Sequence, residues 1–215
     1  MSPQEFVTAT RRKYNSVGST FYADAEVLDL LYQVEMELAT FALTIEATDT
    51  STSTVVGTRS YSLPTRAIAI KRLTYDDQKL KKISFREDDA LTLWDEGTST
   101  TGTPYFYELF ADSIYLRPVP DAVKTLKFYY FKEPAVITIA ETIESPTRYH
   151  MAMTDGVVSE MMYKDENPVM GDRYRRKFEE AKKEAKEWQR KRQNRDSLTY
   201  VLDEDGLNQS VLGLV

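Results

Sequence analysis

The sequence predicts an α+β fold: a helical bundle of N-terminal helices plus two C-terminal helices, an inserted antiparallel β layer, and an extended C-terminal tail. Three observations carry this. Apolar residues recur at three- and four-residue steps in residues 24–41 and again across 146–194. Between them, residues 45–135 hold short runs rich in Thr, Val, Ile, Tyr and Phe, separated by turn residues. Beyond residue 195 no helical period persists. The chain therefore divides into a bundle built from 1–44 and 145–195, a β-rich region at 45–135, and an arm at 196–215.

Taken in order, Ser2-Pro3-Gln4-Glu5 supplies a capping serine, a proline for the first helical turn and an early acid. A short helix follows and ends near Arg11-Arg12-Lys13. Asp24 reads as the cap of a longer helix, with Val27, Leu30, Leu31, Val34, Leu38 and Phe41 along its buried face. The Thr- and Ser-rich stretch 48–58 favours strand or loop. Asp76-Asp77-Gln78 predicts a turn between two strands, and Arg86–Trp94 a short helix. Gly97–Pro104 is a loop by composition. Tyr105–Phe110 and Ser113–Arg117 flank Ala111-Asp112 as a hairpin, followed by a strand at Thr125–Phe131. That strand is aromatic on both faces, which predicts cover on both sides.

Ser145-Pro146 predicts the start of a helix reaching about Lys164, with Tyr149, Met153, Val157 and Met161 in one stripe. A second helix, from Pro168 or Asp172 to Asn194, places Tyr174, Phe178, Ala181, Ala185 and Trp188 along a packing seam.

Composition narrows the chemistry. The 215 residues include 28 basic and 34 acidic groups, one histidine and no cysteine. Disulfide frameworks, thiol catalysis and cysteine metal sites are excluded. The first residues carry no secretory pattern, and no apolar run approaches the roughly 20 residues needed to span a bilayer. The expectation is a soluble protein that acts in cytoplasm or in an assembly built there. Charge is unevenly spread: residues 1–171 carry −8, 172–195 carry +6, and 196–215 carry −4 with no basic group. His150 lacks a spaced nucleophile and orienting acid, and the pairs Asp76-Asp77, Glu87-Asp88 and Asp88-Asp89 lack a calcium-loop pattern. No catalytic residue, metal site or cofactor is expected. Arg173, Arg176, Lys183 and Arg190 could track a phosphate backbone, which makes a nucleic-acid-binding helix at 172–195 the alternative function. Glu179, Glu180 and Glu187 on that helix favour a solvated or protein-facing role instead.

The order of features is distinctive. Arg12-Lys13-Tyr14-Asn15 and Phe21-Tyr22 precede the long helix; Tyr61-Ser62-Leu63-Pro64, Gly102-Thr103-Pro104, Ile114-Tyr115-Leu116-Arg117-Pro118-Val119-Pro120 and Tyr129-Tyr130 follow. This resembles the head-to-tail adaptor proteins of tailed bacteriophages, in particular the tail tubular protein A type and related adaptors with a β insertion. The resemblance implies a structural virion protein, not an enzyme. Such adaptors form a twelve-subunit ring between the portal and the tail tube, nozzle or stopper, and extend the DNA channel. Genomic DNA passes without sequence-specific binding, and no membrane is involved. Assembly takes place in host cytoplasm, and the finished protein sits at the head–tail interface of the virion. The resemblance makes Asp172–Asn194 a portal-docking helix, with Arg173, Arg176, Lys183, Trp188 and Arg190 at the interface. Ser197–Val215 becomes the arm, anchored by Leu198, Tyr200, Leu202, Leu212 and Leu214. The β layer would face the tail and neighbouring copies.

Overall fold

The structure, a computed structural model, describes residues 1–15, 22–84, 86–87 and 101–204, with side chains to residue 192. The predicted helix at Arg86–Trp94 and the start of the Gly97–Pro104 loop thus lie almost wholly outside the described residues. The fold is mixed α and β, as expected. Two compact units divide it, one of residues 1–45 and 134–215, the other of 46–133.

The first unit is helical. Its opening helix α1 spans Pro3–Tyr14 behind a reciprocal capping box. Ser2 Oγ accepts the Glu5 N–H at 3.2 Å, and the Glu5 carboxylate accepts the Ser2 N–H at 2.8 Å. Such a cap is worth about 1 kcal/mol, because it satisfies amides that the helix itself leaves without acceptors. Helix α2 spans Asp24–Ala42, but its N-cap is Ala23 with no side-chain bond. Asp24 fails as a cap because it is already inside the helix and engaged with Arg11 at 2.6 Å. Of the expected stripe, Val27, Leu31, Val34 and Leu38 are buried, while Leu30 is half-buried and Phe41 is exposed.

Helix α3 spans His150–Lys164 after a 3-10 turn at Thr147–Tyr149. It starts later than Ser145-Pro146 predicts. The Ser145 backbone is held elsewhere: its N–H donates to Glu35 Oε1 at 2.7 Å, and its carbonyl accepts from His150 Nε2 at 2.9 Å. Tyr149, Met153, Val157 and Met161 are all buried, as their spacing requires. Helix α4 spans Pro168–Glu204. The predicted arm was to begin at residue 196, yet the backbone stays helical to 204, so that part of the expectation is corrected. No glycine or proline interrupts residues 172–205, so nothing stops the helix before Gly206. Residues 205–215 of the arm lie outside the described residues.

Where the four helices meet, the core holds Phe6, Leu31, Leu38, Met153, Met161 and Phe178, all nearly or fully buried. Gly156 permits a close approach: a Cβ there would sit 2.8 Å from Val34 Cγ1 and 3.2 Å from Phe178 Cγ. The seam of α4 differs from the apolar pattern. Its buried positions are Gly171, Phe178, Lys182, Ala185 and Gln189, two of them polar, while Tyr174 and Ala181 are half-buried.

Among its described residues the second unit has ten strands: β1 Glu46–Asp49, β2 Ser60–Ser62, β3 Ala67–Tyr75, β4 Gln78–Lys79, β5 Lys81–Lys82, β6 Thr101–Gly102, β7 Phe106–Phe110, β8 Ser113–Arg117, β9 Val119–Pro120 and β10 Leu126–Lys132. They form sheets of order β1-β10-β3-β4 and β2-β8-β7-β5 and a short β6-β9 pair. Pairing is antiparallel except for β5 with β7 and β6 with β9. Asp76 and Asp77 both take positive φ (49° and 65°), which fits a two-residue hairpin turn between β3 and β4. The hairpin of β7 and β8 turns at Ala111, also at positive φ (50°).

Leu73, Tyr75, Tyr107, Ile114, Leu116, Leu126 and Phe128 fill the core of this unit. On β10 the face of Leu126, Phe128 and Tyr130 is buried. The opposite face is covered only at Phe131; Lys127 and Tyr129 stay half-exposed, so the expected two-sided cover is corrected. A register shift between Tyr129 and Tyr130 explains part of it. Tyr129 pairs with Arg72 and Tyr130 with Ile70, which leaves Lys71 as the extra residue of a β-bulge.

Candidate interaction surfaces

Helix α4 carries the residues singled out by the sequence, and its geometry sorts them. Arg173, Arg176, Lys183 and Arg190 are all exposed. Their steps of three, seven and seven place them within an arc of about 100° on the outer face. Glu180, Glu184 and Glu187 are exposed on the same side, so the face is mixed in sign. Trp188 lies off this arc, 36% exposed, with the Arg148 guanidinium 3.9 Å from its ring centroid. Leu198, Tyr200 and Leu202 lie on the helical backbone beyond the last described side chain. Leu212 and Leu214 are outside the described residues.

The inner edge of α4 holds an ion network that apolar periodicity does not reveal. Lys182 and Arg175 both donate to Glu37 Oε1 of α2. Each also pairs with Glu179 at 2.9 Å, and Arg175 reaches Glu160 of α3 at 3.5 Å. Burial works to raise the Glu37 carboxyl, but the Lys182 and Arg175 hydrogen bonds win and hold it below the usual carboxylate range. Farther along, Gln189 Nε2 donates to the Leu43 carbonyl at 2.7 Å and ties α4 to the end of α2. These polar contacts are why Lys182 and Gln189 can occupy core positions. The clue in the sequence was their spacing with Phe178 and Ala185, which a search for apolar residues passes over.

Glu35, two residues before Glu37, is shifted the other way. Its side chain is fully buried, and burial raises its carboxyl against the opposing Ser145 hydrogen bond. The folded protein thus holds this proton more tightly than the unfolded chain. Stability from this group is greatest below the unfolded carboxylate range and is lost as pH rises through the raised folded value. Glu35→Gln keeps an acceptor for the Ser145 N–H without the buried charge. It is expected to melt above the parent at pH 7, with the gap closing as pH falls below the unfolded carboxylate range. Thermal melts across pH 3–8 measure this, and a variant less stable at every pH would contradict it.

His150 is buried and bonded to the backbone of Ser145. A carbonyl can only accept, so Nε2 carries the proton that binds Ser145 O, and burial lowers the imidazole pKa. Among the described residues no group of three or more His, Asp or Glu could hold a metal ion. Asp76 pairs with Lys124 at 2.8 Å across its exposed turn. No helix among the described residues is long and apolar enough to cross a membrane.

A family model described as SU10 adaptor protein matches residues 1–201, almost the whole chain. No curated protein matches.

Proposed function

The chain belongs to the SU10 adaptor protein family, a family of phage head-to-tail adaptors, and from that premise we propose that it joins the portal to the tail as a ring. It is a structural protein of a bacteriophage virion. The proposed ring has twelve copies, docks on the portal above and on a tail tube, nozzle or stopper protein below, and extends the DNA channel. The role is mechanical and asks for no catalysis or cofactor.

One observation supports α4 as the portal-docking element. The helix continues for fifteen residues past Gln189, its last buried position among the described side chains. At 1.5 Å per residue that is roughly 22 Å of helix. A bundle stabilises a helix by burying one face of it, and a helix of 37 residues, about twice the 19 of α2, has length for a second protein as well. The outer face with Arg173, Arg176, Lys183 and Arg190, and Trp188 beside it, offers charge and an aromatic anchor to that partner.

Truncation after Asn194 tests this. The shortened protein is expected to keep its melting temperature within a few degrees and to lose co-sedimentation with portal rings. Unchanged docking would show that the segment is not the contact. The alternative, a nucleic-acid-binding helix, is less well supported because glutamates interrupt the basic face.

A further inference from the structure

A second charged surface lies on the β unit and shares no residue with the portal reading. Lys71, Arg72, Lys79, Lys81 and Lys82 line one groove with only Leu80 and Tyr107 between them. Both of those are almost fully buried, so the groove presents cations over a closed apolar floor. An adjoining groove shares Lys71 and Arg72 and adds Tyr129, with Glu46 as its one acid.

The register explains how so many cations reach one place. Arg72 lies directly opposite Tyr129, and Lys127 and Lys79 are both paired with Thr74. Arg72, Lys127, Tyr129 and Lys79 therefore share one face of the sheet. The bulge at Lys71 breaks the alternation, so that Lys71 and Arg72 are consecutive and both exposed. Leu80 turns inward between Lys79 and Lys81, and leaves both of them outside.

We propose that this surface is a binding site for the phosphate backbone of duplex DNA. An acidic protein partner would gain its affinity from apolar or aromatic anchors entering a pocket. Here the apolar floor is sealed. The ring of Tyr129 is already engaged by Arg72, 5.8 Å from its centroid, and by Lys127 at 5.4 Å. Single-stranded bases stacking on that ring would compete with these two cations. Apart from the Lys71–Glu46 pair at 3.5 Å, the charge that lines the groove is positive, which is the chemistry of sequence-independent backbone contact. The net charge of −6 conceals this local field.

The test uses the full-length protein and a random-sequence duplex of about 20 base pairs, read by fluorescence anisotropy from low to physiological salt. Wild type is expected to bind at low salt, with a log–log salt slope of about −0.9 per phosphate contacted. The triple variant Lys79→Gln, Lys81→Gln, Lys82→Gln is expected to bind about tenfold more weakly, with a slope shallower by roughly 2 to 3. Arginine at the same three positions should preserve binding, and circular dichroism reports folding of both variants. Substituting Arg173, Arg176 and Lys183 of α4 with glutamine should leave DNA affinity unchanged, which separates this site from the docking helix. Absence of binding at about 50 mM salt, or a triple glutamine variant that binds like wild type, would overturn the proposal. So would polyglutamate displacing the duplex at equal charge concentration, which would point to an acidic protein.

Discussion

Phe178→Ala is expected to destabilise the helical unit by about 3–5 kcal/mol, the usual cost of emptying a core position of an aromatic ring. Phe178 is fully buried and belongs to the core shared by α1, α2, α3 and α4. Its ring lies against the glycine face of α3, where a Cβ on Gly156 would come within 3.2 Å of it. The surrounding helices are tied by the Glu37, Arg175, Lys182 and Glu179 network, which limits collapse into the void. Against a total stability of roughly 5–15 kcal/mol, the loss is a large share. The melting temperature should fall by about 10 °C. Phe178→Leu, which keeps most of the volume, should lose less than half as much. A measured loss under about 1 kcal/mol in urea titration would show that the ring is not the keystone of this packing.

Arg59→Ala is expected to cost the β unit about 3 kcal/mol, by taking one cation from a buried carboxylate and a cover from the ring beside it. Glu108 of β7 is only 2% exposed, and Arg59 lies 3.7 Å from it. Arg59 also covers the Tyr115 ring at 5.3 Å, and Tyr115 is the direct cross-strand partner of Glu108. Removing the guanidinium takes the cation from a buried charge and uncovers the ring beside it. Glu108→Gln in the Arg59→Ala background removes that charge and is expected to recover part of the loss. Amide exchange in β7 and β8 should accelerate in the single variant and slow again in the double. If the double variant is the less stable by the sum of two independent losses, the pair is not coupled.

These two positions also show what could be read from the chain and what could not. The Ser2–Glu5 box, the β7–β8 hairpin and the Asp76-Asp77 turn are local devices, each written in a few adjacent residues. The Met153, Val157 and Met161 stripe is apolar at a helical period, so its buried face was equally legible. Phe178 was visible as part of a seam, but the seam itself was misplaced. Lys182 and Gln189 hold buried positions through partners on α2 and at Leu43, more than a hundred residues away in sequence. Ser145 misled for the same reason, since Glu35 and His150 claim its backbone. At the C-terminus the loss of an apolar period beyond residue 195 suggested a structural boundary. Losing that period does not end a helix; glycine and proline do, and none occurs until Gly206. The basic groove was hidden because its cations come from three strands, one of them bulged, and only pairing assembles them.

The insertion itself has a consequence for how such a chain changes over generations. The first strand of the β unit, Glu46–Asp49, pairs antiparallel with the last, and Glu46 faces Phe131 directly. Entry and exit of this 88-residue unit are therefore neighbouring threads, only a strand spacing of about 5 Å apart. A unit attached through two adjacent threads can be enlarged, exchanged or trimmed to a short turn at little loop-closure cost to the helices that flank it. The β unit is a cassette, free to be exchanged while the helical frame keeps its fold.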